Sequence, residues 1–589
     1  MPSIRFPRPI VTLLLTAALA LVGMGMNSLV VESVIFHSAG STKLPAEVNA
    51  PYMRILYMPQ EIAVHFFYRG YGNTVLRLTP RYCFTKGFQV NGIKHSFPNK
   101  QATWCQELAV DLGRELHHGN NTLTVSVNPT DASWGSSSPI VGLAVGSPLF
   151  GTHLAQSVFT LIFLGSVLSL VWLLLARRGY DALTRLILIA GYGLYLQCLQ
   201  CLHQFDYTVD WERHAAYIQY VSDHFFAPYN YTAGESWHPP FYYWVCALAA
   251  KGLELFGTFD VWSGIRLVSL VSYATFMYFG MRAIMRVLPK PACYFALALL
   301  VFWPSGMFNA AWVYNDVLLY PFYAAAFYYT LAWYEDNETS DLLKAFICCG
   351  LAFMVKTSAL VPTSILGACI GYKWLIGQYP LRRLLSRELF FGWFALAGGI
   401  LFNFEREIFY FFIPIQWGPG HLACQSQFQA TLENFTLFNI GDLITHPFFV
   451  SWEDSSLWNL QIRLMLFTNS IWRYPQLASC LQLLCLLMLT YVVIFVVTLP
   501  LRKYHTWFPI LSGLVLPFAA TVAFTVICHV QGNIDFRYIQ PALIAIVMAF
   551  CLSVQHAKDK NWTFLYYAGY GIASLFTICS IVFFELQML

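Results

Sequence analysis

The chain has 589 residues, of which 57% are hydrophobic and only 11% charged, with a mean hydropathy of +0.55. A soluble protein carries about 25% charged residues, so this composition excludes a soluble enzyme, and with it a disordered chain or a short-period fibrous repeat. A polytopic membrane protein remains, and its net charge of +4 is too small and dispersed to imply nucleic acid.

A membrane-spanning helix needs about 20 apolar residues. The first such run, 10–31, follows Arg5 and Arg8 and is long for a signal peptide, so it reads as an uncleaved anchor. From 33 to 150 the pattern changes to short alternating stretches such as Ile62-Ala63-Val64-His65-Phe66-Phe67, with turn signals at Gly70 and Gly72. A last strand, Thr122-Leu123-Thr124-Val125-Ser126-Val127, follows Gly119-Asn120-Asn121. This spacing predicts an antiparallel β-sandwich, and the Gly-Asn-Asn-Thr-Leu-Thr-Val run resembles the closing strand of lectin-like jelly rolls. Cys83 and Cys105 are the two cysteines in this polar region and form the candidate disulfide if it lies outside the cytoplasm. Cysteines such as Cys348, Cys369 and Cys551 sit in apolar runs and behave as small hydrophobes.

Apolar runs then follow at 154–176 and 183–202, and ten more lie between 263 and 586, for about thirteen spans in all. The expected architecture is a polytopic α-helical membrane protein carrying an N-terminal extracytoplasmic β-sandwich. Its parts are an anchor at 1–32, the sandwich at 33–150, an additional span and cytoplasmic turn at 151–181, and a membrane domain at 182–589.

Lysine and arginine retained in the cytoplasm set the orientation. With Arg5 and Arg8 inside, Arg177, Arg178, Arg282, Arg286, Arg382, Arg383, Arg387, Lys558 and Lys560 also fall inside, provided that 240–256 lies in the interface and does not span. The N-terminus is then cytoplasmic and the C-terminus extracytoplasmic. Two large loops, 203–262 and 405–478, face outward and collect acids and aromatics at one interface. A transporter would place polar breaks at mid-membrane instead; an enzyme acting on a lipid-borne substrate would place them here.

The first outer loop holds Asp210-Trp211-Glu212-Arg213-His214 and then Glu235-Ser236-Trp237-His238-Pro239-Pro240-Phe241-Tyr242-Tyr243. A carboxylate beyond a helix end can take a proton from an attacking hydroxyl or amine, or bind a divalent cation that offsets phosphate charge. One isolated acid would merely solvate a loop. Here His214 lies four residues on, on the same helical face, and the His-Pro-Pro-aromatic run follows. Trp417-Gly418-Pro419-Gly420-His421 and Ser451-Trp452-Glu453-Asp454 in the second loop suit a sugar ring or an ordinary headgroup belt.

This order resembles the GT-C class of membrane glycosyltransferases, which use polyprenyl-phosphate-linked sugars, and within it the protein O-mannosyltransferase and aminoarabinose-transferase-like families. Asp210, His214, Tyr217 and His238-Pro239-Pro240-Phe241-Tyr242-Tyr243 match the families' early acid, juxtamembrane His/Tyr helix and His-Pro-Pro-Leu-Tyr-Tyr run. Tyr314-Asn315-Asp316-Val317-Leu318 is similar to their Asn-Asp-x-Leu, Lys356-Thr357-Ser358-Ala359-Leu360 to their Lys-x-Ser-Ala-Leu, and Arg537-Tyr538-Ile539-Gln540-Pro541 to their Arg-Tyr-x-x-Pro. The likeness covers about 180–545; the anchor and sandwich precede it.

The resemblance implies transfer of a sugar from a polyprenyl-phosphate donor to a lipid, polysaccharide or protein acceptor, with inversion and Asp210 as catalytic base. It implies substrate contacts from His214, Tyr217, Glu235, His238, Tyr242, Asn315, Asp316, Lys356, Arg537 and Tyr538. Lys356 and Arg537 would face the lipid phosphate, although both also suit snorkelling to a headgroup. Asp316 would position substrate or, with Asp210, a divalent cation (Mg or Mn); capping a helix together with Asn315 is the plainer role. The families' adjacent Asp-Glu is Asp210-Trp211-Glu212 here, which leaves metal dependence open. The motif variants resemble bacterial members, implying the inner membrane with the site facing the periplasm. Two other readings stay open: an O-antigen ligase or polymerase type of lipid-linked glycan enzyme, and a non-enzymatic lipid or sugar transporter.

Overall fold

In a computed structural model of the chain, the described residues are 8–26, 30–38, 46–48, 52–55, 60–68, 74–81, 83–96, 108–113, 115–129, 140–146, 154–201, 211–226, 238–255, 261–404, 432–448, 456–468, 472, 474–527 and 535–588. Asp210, Glu235 and Cys105 lie outside them, as do Trp417, His421, Trp452 and Glu453. The chain divides into two compact units, one of residues 1–185, 199–235 and 243–268, the other of 186–198, 236–242 and 269–589.

The first unit opens with the helix Arg8–Met26. It ends before the expected anchor does: Val30 and Val31 open a strand, Val30–Ser38, as β-branched residues favour. Gly23 of the first helix lies so close to the Phe159 ring of the helix Leu154–Arg177 that a Cβ there would sit 2.6 Å from it.

Between these helices lie two antiparallel sheets. The larger has the strand order Ala46–Val48, Val30–Ser38, Gln60–Tyr68, Gly119–Pro129, Cys83–Val90, Ile93–Ser96; the smaller runs Tyr52–Ile55, Ile140–Gly146, Val75–Arg81, Leu108–Asp111. Alternation puts Val64, Phe66, Leu123 and Val125 on one buried face, and the register pairs Val64 with Leu123. The lectin-like run is therefore an interior strand of the larger sheet. Asn91 and Gly92 both have positive φ, 48° and 89°, and form the two-residue hairpin turn between Val90 and Ile93.

Among the described residues, seven helices are long and apolar enough to cross a membrane, or eight if the bent pair Ala292–Val301 and Pro304–Ala311 makes one crossing. The 43° bend falls where Pro304, which lacks an N–H and crowds the preceding turn, restarts the helix. Several of the thirteen apolar runs fold as shorter helices: Thr339–Val355 has 17 residues, Leu360–Leu375 has 16 and Phe390–Asn403 has 14. At about 1.5 Å per residue these fall short of a hydrocarbon core of about 30 Å. The segment expected in the interface contains the 14-residue helix Phe241–Glu254, also too short to span. In the second unit, the helices Asp316–Asp336 and Leu543–Asp559 are buried on nearly every face and form its core.

Candidate active site

Four charged side chains from three separate segments meet in the second unit. Asp316 is the first residue of the helix Asp316–Asp336. Lys356 sits in an extended break (φ −164°, ψ 151°) between the helix Thr339–Val355 and the 3₁₀ turn Thr357–Ala359. Arg537 belongs to the 3₁₀ helix Phe536–Ala542, and Asp535 caps that helix by accepting the Arg537 backbone N–H at 3.0 Å.

Lys356 Nζ donates to both oxygens of Asp316, at 2.9 and 2.7 Å. Arg537 Nε lies 3.4 Å from Asp535 Oδ2 and 4.0 Å from Asp316 Oδ2. The chain Lys356–Asp316–Arg537–Asp535 thus alternates in sign and balances two cations with two carboxylates. Aromatic rings close around it. Tyr314 faces Arg537 at 4.2 Å, and the Tyr538 ring lies 4.2 Å from Lys356 Nζ while its hydroxyl accepts from Arg537 Nη2 at 3.2 Å. Tyr320 donates its hydroxyl to the Arg537 carbonyl at 3.2 Å. The carboxylates lie deepest, with side chains 1% (Asp316) and 3% (Asp535) exposed, whereas Lys356 is 14% exposed and forms the open side with half-buried Tyr538.

The backbone around Lys356 is held by two buried amides. Asn403 donates to the Phe353 carbonyl at 2.6 Å and accepts from Thr357 Oγ1 at 2.9 Å; Asn315 donates to the Val355 carbonyl at 3.5 Å. Asn315 makes no side-chain cap bond, so its expected capping role gives way to holding the segment next to Lys356. Lys356 is not snorkelling: its ammonium is turned inward onto Asp316. That ammonium also occupies both carboxylate oxygens that a divalent cation would use, and among the described residues no three His, Cys, Asp or Glu side chains group to hold a metal.

Of the expected site residues, Asn315, Asp316, Lys356, Arg537 and Tyr538 therefore come together. His238 is half-buried, Pro239, Pro240 and Tyr242 are buried, and Phe241 approaches Phe322 at 6.5 Å between ring centroids. In the first unit, His214 Nδ1 and the Tyr243 hydroxyl are 2.7 Å apart, and Tyr217 stacks on Tyr243 at 3.7 Å. His214 and Tyr217 are three residues apart on the helix Trp211–His224, which places them on one face. The sequence reading missed Asp535, Tyr320 and Asn403. Only Asp535 had a local signal, an acid just before a helical Arg-Tyr run.

The arrangement is that of a membrane protein with a buried cationic pair, preset by carboxylates, at the ends of helices. Residues 237–403 match the family of dolichyl-phosphate-mannose-protein mannosyltransferases, so across that stretch the likeness to GT-C membrane glycosyltransferases is a family match and includes Asp316 and Lys356. No curated protein matches the sequence. Among solved structures, the chain is similar to ArnT from Cupriavidus metallidurans bound to undecaprenyl phosphate, with 15% identity over 62% of this chain and 76% of that one and a TM-score of 0.32. It is also similar to the arabinosyltransferase EmbB from Mycobacterium smegmatis, with 10% identity over 92% of this chain and 53% of that one and a TM-score of 0.36.

Proposed function

We propose that the protein transfers a sugar from a polyprenyl-phosphate donor to an acceptor at the extracytoplasmic face of the bacterial inner membrane. The observation that carries this reading is the Lys356–Asp316–Arg537–Asp535 cluster: two cations, held in place before any ligand arrives, at ends of helices in a membrane protein. Preorganised cations stabilise a phosphate leaving group without a reorganisation cost during the reaction. The family match over 237–403 supports the same chemistry.

In this mechanism the acceptor hydroxyl or amine attacks the anomeric carbon while its proton passes to Asp210. The bond from that carbon to the phosphate oxygen breaks on the opposite side, and the configuration inverts. Lys356 and Arg537 take up the charge of the departing lipid phosphate, and the half-buried Tyr538 ring guides it to Lys356. His214, held by Tyr243, is a proposed acceptor contact, as are His238, Glu235 and Tyr242. A divalent cation would be held by Asp210 and would offset donor-phosphate charge, whereas Asp316 is engaged by Lys356. The region before the membrane domain forms an extracytoplasmic β-sandwich.

The test uses purified protein and a panel of polyprenyl-monophosphate sugars, each with a candidate acceptor, following release of lipid phosphate with and without EDTA. Release from one donor, lost in Asp210→Asn with the fold intact, is the expected result. Wild-type turnover in Asp210→Asn removes Asp210 as the base. Transfer only from a diphosphate-linked oligosaccharide points to the ligase reading instead.

A further inference from the structure

The short helix that carries Arg537 also takes part, through Gln540, in a buried polar chain. Gln540 and Ser305 are fully buried, and Asn309 is 2% exposed. Asn309 Nδ2 donates to Gln540 Oε1 at 2.8 Å, Gln540 Nε2 donates to Ser305 Oγ at 3.1 Å, and Ser305 Oγ reaches the Met465 carbonyl at 2.5 Å. Trp303 Nε1 donates to the same carbonyl at 2.7 Å. A serine hydroxyl has one hydrogen, and the Met465 carbonyl can only accept it, so the contact between Ser305 and Gln540 must use the amide N–H as donor. The chain therefore has one direction, Asn309 to Gln540 to Ser305 to Met465, and one amide orientation.

We propose that Gln540 is a positioning residue for Arg537, locked in phase by Ser305 and Asn309 and anchored on the helix Leu457–Phe467. This rests on the phosphate-binding role given to Arg537 above. In a 3₁₀ helix, side chains three residues apart eclipse, so fixing Gln540 fixes the direction in which Arg537 leaves the same short helix. Tyr320 also holds the Arg537 carbonyl, at 3.2 Å. The anchor is itself rigid: Arg463, two residues before Met465 and 1% exposed, donates to the His446 carbonyl at 2.8 Å and to Asp442 Oδ2 at 2.7 Å. Hydrogen bonds thus tie residues 442–446 to the helix Leu457–Phe467, and tie that helix through the Met465 carbonyl, Ser305 and Gln540 to the short helix that carries Arg537.

The experiment compares wild type, Gln540→Met, Arg537→Ala and the double variant for binding of undecaprenyl phosphate, and images Gln540→Met by cryo-EM. Methionine keeps the volume and deletes the amide. Binding should weaken about tenfold in Gln540→Met, as expected for lost hydrogen bonds to buried groups, with no further loss when Arg537 is already alanine. The map should show the guanidinium displaced from Asp535 and Tyr314. Ser305→Ala, which removes only the relay hydroxyl, should displace it likewise and serves if Gln540→Met does not fold. Equal loss with and without Arg537, or an unmoved guanidinium, overturns the proposal. Wild-type protein that fails to bind undecaprenyl phosphate sinks the phosphate-binding reading instead, and the position of Arg537 in the map then decides the positioning role on its own.

Discussion

The two carboxylates of the cluster are held almost out of reach of water, so each depends on its cationic neighbour. Lys356 donates to both Asp316 oxygens, and Arg537 Nε lies 4.0 Å away. In Lys356→Met the buried carboxylate loses that partner, which costs about 3–5 kcal/mol for a pair of this kind. The double variant Lys356→Met, Asp316→Leu removes both charges and should recover much of that stability without recovering lipid-phosphate release. Thermal unfolding of the two variants checks this, and a single variant as stable as wild type would show that the pair is not buried as described. Asp442 poses the opposite case on the loop side. Burial alone would raise its carboxyl, but the hydrogen bond and charge of Arg463 outweigh burial and hold it below its usual value of 3.8. A depressed carboxyl contributes stability that is present above the unfolded value and lost as pH falls through the folded one. Wild-type melting temperature should therefore fall below pH 3.8, while Asp442→Asn starts lower and depends less on pH over that range.

At the scale of elements, the site depends on how closely two short helices approach. Gly350 of the helix Thr339–Val355 and Gly399 of the helix Phe390–Asn403 put backbone against backbone: a Cβ on Gly350 would collide with the Ala395 carbonyl, and one on Gly399 with the Gly350 carbonyl. That approach lets Asn403 reach the Phe353 carbonyl and brace the break that carries Lys356. Gly350→Ala should force the helices apart, cost about 1–3 kcal/mol as overpacking does, and weaken phosphate binding through Lys356. Gly398→Ala, with nothing within 4 Å of the added methyl, is the control and should change neither. The sequence showed Lys356, Asp316 and Arg537 because each stands in a short motif with its own local spacing. It did not show that Asn403, 46 residues after Thr357, or Gln540, 235 residues after Ser305, completes the site, because no periodicity encodes a pairing across that separation. The bend at Pro304 escapes for a related reason: it comes from local backbone geometry inside one apolar run, which hydropathy does not register.

Across the whole molecule, the loop charges and the cluster make one joint prediction about sidedness. The helix Asp316–Asp336 has 21 residues and so separates its two ends by about 30 Å, although it is not among the seven helices apolar enough to cross a membrane by themselves. At its far end Glu335 and Asp336 pair with Arg286, and Arg282 reaches the Tyr328 hydroxyl. Those arginines belong to the basic set that charge bias would retain in the cytoplasm. If their end is cytoplasmic, Asp316 and the cations around it open on the other face, where a lipid-linked sugar donor would be consumed. Fusing a fluorescent protein that matures only in the cytoplasm after Leu385, in the loop with Arg382 and Arg383, should give fluorescent cells. Fusing alkaline phosphatase, which is active only after export, after Leu589 should give activity. The reverse pair of results would place the cluster on the cytoplasmic face, and a donor delivered to the periplasm could then not reach Lys356 or Arg537.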